Sequence, residues 1–433
     1  MFIKRSIIEG MWIAFAILLT LLGRWGSALE YVFDSARDTT MLTVVLFLFF
    51  SQILAKTGVL EDCLDILVAL VGRIPGGAAY ATLVASAFMG TMSGSISANI
   101  AATGCITIPA MKRSGFSAEL ASGIQVGGST LASVLPPSLF IVISFGFLNE
   151  LYPDTYLFSD FWTFAYYIFA IYFLHRLITV FYLCTKYKIK PMDKSELPDF
   201  KTALKKGWKS LFLPFVVFFI FFVNNTWGAT FVTDRLGAQG ASVFSGSLII
   251  IAPCLAIFYV FLIAKDKKTI KPAAIADSLV DTTKSLVPVL FIMLGGYSIS
   301  ALFADAGIMG NMMADIERFN LPFWAVCVFL PLMLAIVGCF FDGLAVLTLF
   351  GPLVMAITAS VGISPWLAAA MLPVVIHSMA SLTPPYSPGI MVAISISKAN
   401  MTKTFKQMII WITGHYAVTL LIYFGIIPMI GSN

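Results

Sequence analysis

The chain has 433 residues, of which 59% are hydrophobic and 11% charged, with a formal net charge of +5. Ordinary globular chains carry about 25% charged residues, so a core surrounded by water is excluded. The small positive balance sits in a few lysine-rich loops and gives no ground for nucleic-acid binding.

Long unbroken apolar runs exclude a membrane β-barrel and indicate an all-α polytopic membrane protein in a lipid bilayer. The opening "MFIKRSIIEGMWIAFAILLTLLGRWG" has the outline of a signal peptide but no A-x-A-like exit, so an uncleaved first span over 11–29 is expected. A second span is expected over 40–57, then a hydrophobic hairpin over 75–111 whose middle, "GTMSGSISANIAATG", is small and polar. The span at 117–148 exceeds the ~20 residues a membrane helix needs and is interrupted by "VLPPSL". Spans follow over 160–185, 209–224, 243–264 and 285–304, then a second hairpin over 321–361. The span at 364–397 is again long and again broken, by "SLTPPYSPG", and a last span covers 407–430. The six cysteines form no C-x-x-C pair and are expected to be buried small hydrophobes.

Lysine and arginine cluster at the N-terminus, at 112–113, over 186–209, over 265–271 and at 398–406, whereas "NELYPDTYLFSD" and "NNTWGATFVTDRLGAQG" carry almost none. The positive-inside rule then puts the clusters and the N-terminus in the cytoplasm and the C-terminus outside. The two poorly charged segments become outer loops.

The chain also repeats itself. "AKTGVL" resembles "ADAGIM", Gly90 matches Gly338, Gly94 matches Gly343, "GFSAEL" matches "GISPWL", and Pro136-Pro137 match Pro384-Pro385, all at offsets of 247 to 249. The charge map gives the copies opposite orientations, so an inverted-topology repeat is expected. The chain then divides into N-terminal spans and arm (1–74), first-repeat hairpin and broken helix (75–148), middle spans and cytoplasmic loop (149–284), entry span and arm (285–320), second-repeat hairpin and broken helix (321–397) and C-terminal span (398–433).

Irregular backbone at membrane depth survives only inside protein or along a cavity. The polar middle of the first hairpin therefore reads as a tip facing a polar site. Hairpin legs of ~16 residues reach ~24 Å as helix, so re-entrant loops and full crossings both fit. The proline pairs remove N–H donors and free carbonyls. With the hydroxyls of Ser129, Thr130 and Ser133 in one break, and of Ser381 and Thr383 in the other, these are hard oxygen ligands suited to Na⁺. Asp342 lies at the second tip as a carboxylate in an apolar hairpin, either capping its own backbone or ligating an ion. His377 reads as structural, and His175 and His415 suggest nothing. No phosphate-binding loop, metal-protease pattern or hydrolase elbow occurs, so no enzyme is expected.

"MGTMSGSISANIAATGCITIPAMKRSGFSAELASGIQVGGSTLASVLPPS" resembles the first repeat of the large membrane subunit of tripartite ATP-independent periplasmic (TRAP) transporters, and "FFDGLAVLTLFGPLVMAI" through "GISPWLAAAMLPVVIHSMASLTPP" resembles the second. The resemblance covers roughly 40–150 and 285–400. It implies two re-entrant hairpins and two broken helices in an elevator transport core (75–148 and 321–397) that slides against a scaffold (1–74 and 149–284) in the inner membrane. It also implies Na⁺-coupled uptake of a small organic anion, a secreted (periplasmic) solute-binding protein and a small four-span membrane subunit. By position, one sodium site would involve Ser93, Gly94, Ser95, Ser129, Thr130 and Pro136. The other would involve Asp342, Gly343, Ser381, Thr383 and Pro384. The anion would lie against Ser93, Gly94, Ser95, Asn99, Pro137, Ser138, Thr383 and Pro385. The chain departs from the family after T-P-P, with Tyr386-Ser387-Pro388-Gly389. A stand-alone carrier of the same superfamily and an ion channel are the alternatives.

Overall fold

The computed structural model describes residues 7–93, 96–136, 138–153, 155–191, 197–307, 318, 321–338, 343–384 and 387–429. All regular structure among them is helical.

Helix α1 (Ile7–Leu22) ends at Gly23, whose φ of 66° permits the turn. The expected span over 11–29 therefore stops early. A 3₁₀ turn (Trp25–Ser27) and a separate helix α2 (Ala28–Arg37) follow it. Asp38 caps α3 (Thr39–Thr57) by accepting from the Thr40 N–H, and Gly58, at φ 70°, turns the chain into α4 (Val59–Val71).

The first hairpin is α5 (Gly77–Ser93) and α6 (Ile96–Arg113). Helix α7 (Ala118–Ser129), a 3₁₀ turn (Thr130–Ser133) and α8 (Leu139–Leu151) form the first broken span. Then come α9 (Phe158–Lys186), the short lysine-bearing helix α10 (Phe200–Gly207) and α11 (Leu213–Val223). The expected outer loop at 225–242 is not a loop. The chain continues through a π-helical segment (Asn224–Gly228) into α12 (Ala229–Ile263), reversing only at Gly237, with φ 73° and ψ 175°. The Ser245 hydroxyl donates to Asn224 Oδ1 (3.3 Å), so α12 folds back along α11.

Helix α13 (Pro272–Asp305) starts earlier than the expected span. The second hairpin is α14 (Phe323–Gly338) and α15 (Gly343–Ser360). The second broken span is α16 (Pro365–Leu372), a π-helical segment (Pro373–Ser378), α17 (Met379–Leu382) and α18 (Pro388–Ser397), and α19 (Met401–Tyr423) closes the chain.

Local chemistry recurs at the repeat offset. Ser117 and Ser364 cap α7 and α16, and Ser138 and Ser387 cap the two outgoing halves, α8 and α18. Each such cap is worth about 1 kcal/mol. Gly58 and Gly307, and Gly115 and Gly362, are matched pairs with positive φ.

Among the described residues five helices are long and apolar enough to cross a membrane: Phe158–Lys186, Gln239–Ile263, Leu286–Phe303, Pro365–Leu382 and Met401–Tyr423. The bent pair Trp25–Arg37 and Thr39–Leu54 makes a sixth if taken as one span. Helix α3 packs on α12 and α13, and α1 and α2 pack on α13, forming a peripheral group. The hairpins and broken helices pack on one another, α19 lies on α7, and α9 touches both α12 and the broken helices.

Outside the membrane spans, the buried Asp62 carboxylate holds both Lys206 (3.0 Å) and Lys265, locking α4 to α10 and to the end of α12. Cys63, Cys184 and Cys327 are buried as expected, but Cys105 and Cys254 are exposed, because their helices present apolar faces outward, and Cys339 lies outside the described residues.

Candidate functional site

The two breaks meet. In the first, the 3₁₀ turn gives way to non-helical backbone at 134–136, where Pro136 lacks an N–H, and Ser138 is extended. In the second, the helix widens at Pro373, resumes for one turn and stops at Thr383-Pro384. The 3₁₀ turn packs directly against the π-helical segment, so the broken helices cross at their weakest points.

A buried polar ladder fixes the first hairpin on the first broken helix. Gln125 Oε1 accepts from the Thr107 hydroxyl (2.5 Å), and its amide N–H₂ donates to Thr103 Oγ1 (2.7 Å) and reaches Ser129 Oγ (3.2 Å) and Ser86 Oγ (3.3 Å). Asn99 donates to the Ser86 carbonyl (2.7 Å), bracing the two hairpin legs just beneath the tip. All these side chains are buried, and buried amides and hydroxyls persist in such surroundings only when paired.

The second break has different furniture. His377 stacks on Phe140 with ring centroids 3.9 Å apart and 17° between planes. It lies so close to Gly343 that an added Cβ there would sit 1.7 Å from His377 Nδ1. Glycine at the start of α15 is thus required by the imidazole. The Thr383 hydroxyl donates to the Met379 carbonyl (2.9 Å), and the Ser387 hydroxyl donates to the Ser381 carbonyl (2.7 Å), closing the turn after the break. The Ser378 hydroxyl is buried and has no hydrogen-bond partner among the described residues.

Helix N-termini come together in pairs around this crossing. Gly389, in the first turn of α18, abuts Ile96 and Ile100 in the first turn of α6. The start of α8, at Phe140, and the start of α15, at Gly343, meet through His377. Helix N-termini present free N–H groups and the positive end of the helix dipole, which suits an anion.

One cation lies behind the crossing. Arg176 of α9 is fully buried, and no carboxylate pairs with it among the described residues. One of its terminal nitrogens donates to Thr130 Oγ1 (3.1 Å) and to His415 Nδ1 (2.9 Å), and the other to His175 Nδ1 (2.9 Å). His415 Nε2 lies 3.2 Å from the Val374 carbonyl in the π-helical segment. The Trp411 ring covers the guanidinium at 5.6 Å.

The family model described as "Tripartite ATP-independent periplasmic transporter, DctM component" matches residues 3–430, through both hairpins, both breaks and Arg176. The chain belongs to the TRAP transporter DctM family. It is 24% identical over 403 residues to the C4-dicarboxylate TRAP transporter large permease protein DctM of Vibrio cholerae, covering 86% of this chain and 81% of that one. It is 22% identical over 443 residues to the 2,3-diketo-L-gulonate TRAP transporter large permease protein YiaN of Escherichia coli, covering 97% and 94%. The fold is similar to that of the YdaH transporter of Alcanivorax borkumensis, with a TM-score of 0.71 at 14% identity over 97% of this chain and 98% of that one.

In this chain, the expected site residues Asn99, Ser129, Thr130, Pro136, Ser138, Gly343, Ser381, Thr383 and Pro384 all lie at the breaks or the hairpin legs beside them. Gly94, Ser95, Pro137, Asp342 and Pro385 lie outside the described residues, and Ser93 is described only as the end of α5. Ser138 is turned to capping α8, its Oγ accepting from Phe140 N–H (3.2 Å).

Sequence reasoning missed Gln125, Ser86, Thr103, Thr107 and Ser378. Their signal was present, as polar side chains at positions three or four apart inside apolar helices. It also missed Arg176, buried in a span that the expected division assigns to the scaffold. His415, which suggested nothing, is Arg176's partner, because a span outside the repeat packs its polar face onto both breaks.

Proposed function

We propose that this chain is the large permease of a Na⁺-coupled importer for a small organic anion of the inner membrane. The observation that carries the reading is the crossing of two broken helices, where two pairs of helix N-termini meet beside hydroxyls and freed carbonyls. The N-termini suit a carboxylate, and the oxygens suit Na⁺. The Ser378 hydroxyl, buried and without a hydrogen-bond partner among the described residues, is an oxygen free to ligate a cation. The V. cholerae and E. coli relatives are named for C4-dicarboxylates and 2,3-diketo-L-gulonate, both organic acids, which favours a carboxylate here. The tip residues Ser93, Gly94, Ser95 and Asp342 complete the sites on this reading.

The two halves are inverted in the membrane on this reading. The lysine clusters support it by meeting at one end of the fold: Lys112 donates to the Ser397 carbonyl (3.1 Å), and the Gly76 N–H donates to the Lys190 carbonyl (3.4 Å). That end is cytoplasmic, with the N-terminus, and the C-terminus is periplasmic. The core moves as an elevator against the peripheral helices. A solute-binding protein delivers the anion and a small four-span subunit widens the scaffold.

Two experiments test this. Single-cysteine labelling of a cysteine-free chain should reach positions near 113 and near 361 from opposite sides, and labelling from one side overturns the inversion. Reconstitution into liposomes with an inward Na⁺ gradient should give uptake only with both partners present. Robust uptake by this chain alone would establish the stand-alone carrier, and flux that neither saturates nor needs Na⁺ would establish a channel.

A further inference from the structure

A buried guanidinium without a carboxylate is costly, by several kcal/mol in apolar surroundings. A hydrophobic side chain of similar volume at position 176 would pack α9 at least as stably. The reason for the charge therefore lies in the bonds it makes, and those bonds have a direction. Arg176 reaches Thr130, in the turn that opens the first break, and His415. His415 Nδ1 accepts from Arg176, which assigns the ring proton to Nε2, and that N–H donates to the Val374 carbonyl. The same carbonyl accepts the wide-turn hydrogen bond from the Met379 N–H that makes this segment π-helical. His175 is assigned the same way. Its Nδ1 accepts from Arg176, and its Nε2–H faces Thr179 Oγ1 (3.3 Å), whose own hydroxyl proton goes to the His175 carbonyl.

We infer that Arg176 is a positioning residue that ties the two breaks into one mechanical unit through His415, so that a change of ligation at one break is transmitted to the other. The chain of contacts is continuous: Thr130 hydroxyl, guanidinium, imidazole, Val374 carbonyl. A planar fork is needed, because one nitrogen serves both Thr130 and His415 while the other is held by His175. Shifting Thr130 pulls on the fork, the fork turns His415, and the wide turn before the second break loses a donor. Trp411 limits any other path for the guanidinium, since it lies over Arg176 and presses on Gly127, whose carbonyl accepts from Thr130. In transport terms, which rest on the Na⁺-coupled reading above, the two ion sites would fill cooperatively.

The first test needs no ion. The full chain in lipid nanodiscs in choline chloride is followed by hydrogen exchange at amides of 374–382. Thr130→Val, which removes the acceptor in the other half of the molecule, should speed exchange there about threefold to tenfold, the effect of one lost hydrogen bond. His415→Asn, on a different helix, keeps an acceptor for Arg176 but loses the donor to Val374 and should do the same. Ser133→Ala, which removes only the bond to the Thr130 carbonyl, should leave 374–382 unchanged. Arg176→Lys keeps the charge without the fork and should behave like Thr130→Val. Loosening confined to the mutated helix, or wild-type exchange in Arg176→Lys, overturns the proposal. The second test is the Na⁺ dependence of uptake in liposomes, where His415→Asn should lower the Hill coefficient towards 1 relative to wild type, and an unchanged coefficient overturns the transmission. Wild-type uptake that ignores Na⁺ defeats the Na⁺ reading alone, and the exchange result then decides the coupling.

Discussion

Gly338 lies against Ala380 so closely that a Cβ added to the glycine would sit 2.1 Å from the alanine's own Cβ. Gly90 lies against Ala132 in the same way, with 2.2 Å to its Cα, and both members of the second pair are displaced from the first by the repeat offset of 248. Each hairpin leg therefore crosses its own broken helix at a glycine–alanine contact. Gly90→Ala and Gly338→Ala should each cost about 1–3 kcal/mol through overpacking. Gly246→Ala, which meets nothing within 4 Å, should be neutral or stabilising by up to about 1 kcal/mol through helix propensity. Thermal unfolding of the purified chain reads the difference. Equal melting temperatures for all three variants would refute the close approach.

Gln125 holds the first hairpin by polar bonds that Leu cannot make. Gln125→Leu preserves the volume but strips Thr107, Thr103 and Ser129 of their shared partner. A loss of about 1–3 kcal/mol in unfolding stability is expected. Stability within error of wild type would mean that the hydroxyls re-pair with helix carbonyls, as Thr107 and Thr103 already do in part.

Ser378→Ala separates binding from folding. Its hydroxyl makes no bond among the described residues, so its loss should leave the melting temperature in choline unchanged or higher. In Na⁺ the half-saturation for uptake should rise about threefold to tenfold, the effect of one oxygen ligand worth about 1 kcal/mol. Asp342→Ala and Ser95→Ala should shift it in the same direction. An unchanged Na⁺ curve in folded Ser378→Ala protein removes this residue from the site.

The Lys56–Asp281 pair predicts a pH and salt effect at the membrane surface. Lys56 Nζ donates to Asp281 Oδ2 (2.6 Å), and Lys284 lies 3.1 Å from the other oxygen. The hydrogen bond from Lys56, then that from Lys284, hold the Asp281 carboxyl below its ordinary value. A lowered carboxyl contributes stability that is present above the ordinary aspartate range and is lost as pH falls through the folded value. Asp281→Asn should therefore weaken the α3–α13 contact at neutral pH and make no difference in strong acid. Because the pair is exposed, the effect should fade near 1 M salt, where the Debye length is about 3 Å. Melting curves at two pH values and two salt concentrations test all three statements.

The breaks were legible because their chemistry is local. A proline pair and a capping serine announce each outgoing half, and Ser117, Ser138, Ser364 and Ser387 all cap the helices they precede. The segment at 225–242 misled because its glycines, threonines and asparagines are turn formers by propensity. In the fold they stay helical against α11, and a single glycine makes the turn. Arg176 was illegible for a different reason. Its partner His415 is 239 residues away, and periodicity reports which face a residue occupies, never what that face meets.

Gly237 leaves the α11–α12 pair with no slack. Two long helices reverse through one residue whose backbone angles exclude a side chain's comfort, and Asn224 and Ser245 button the pair above the turn. The short bend keeps the two arms side by side along their length, so α3 and α9 meet the pair as one shared surface rather than as two separate helices.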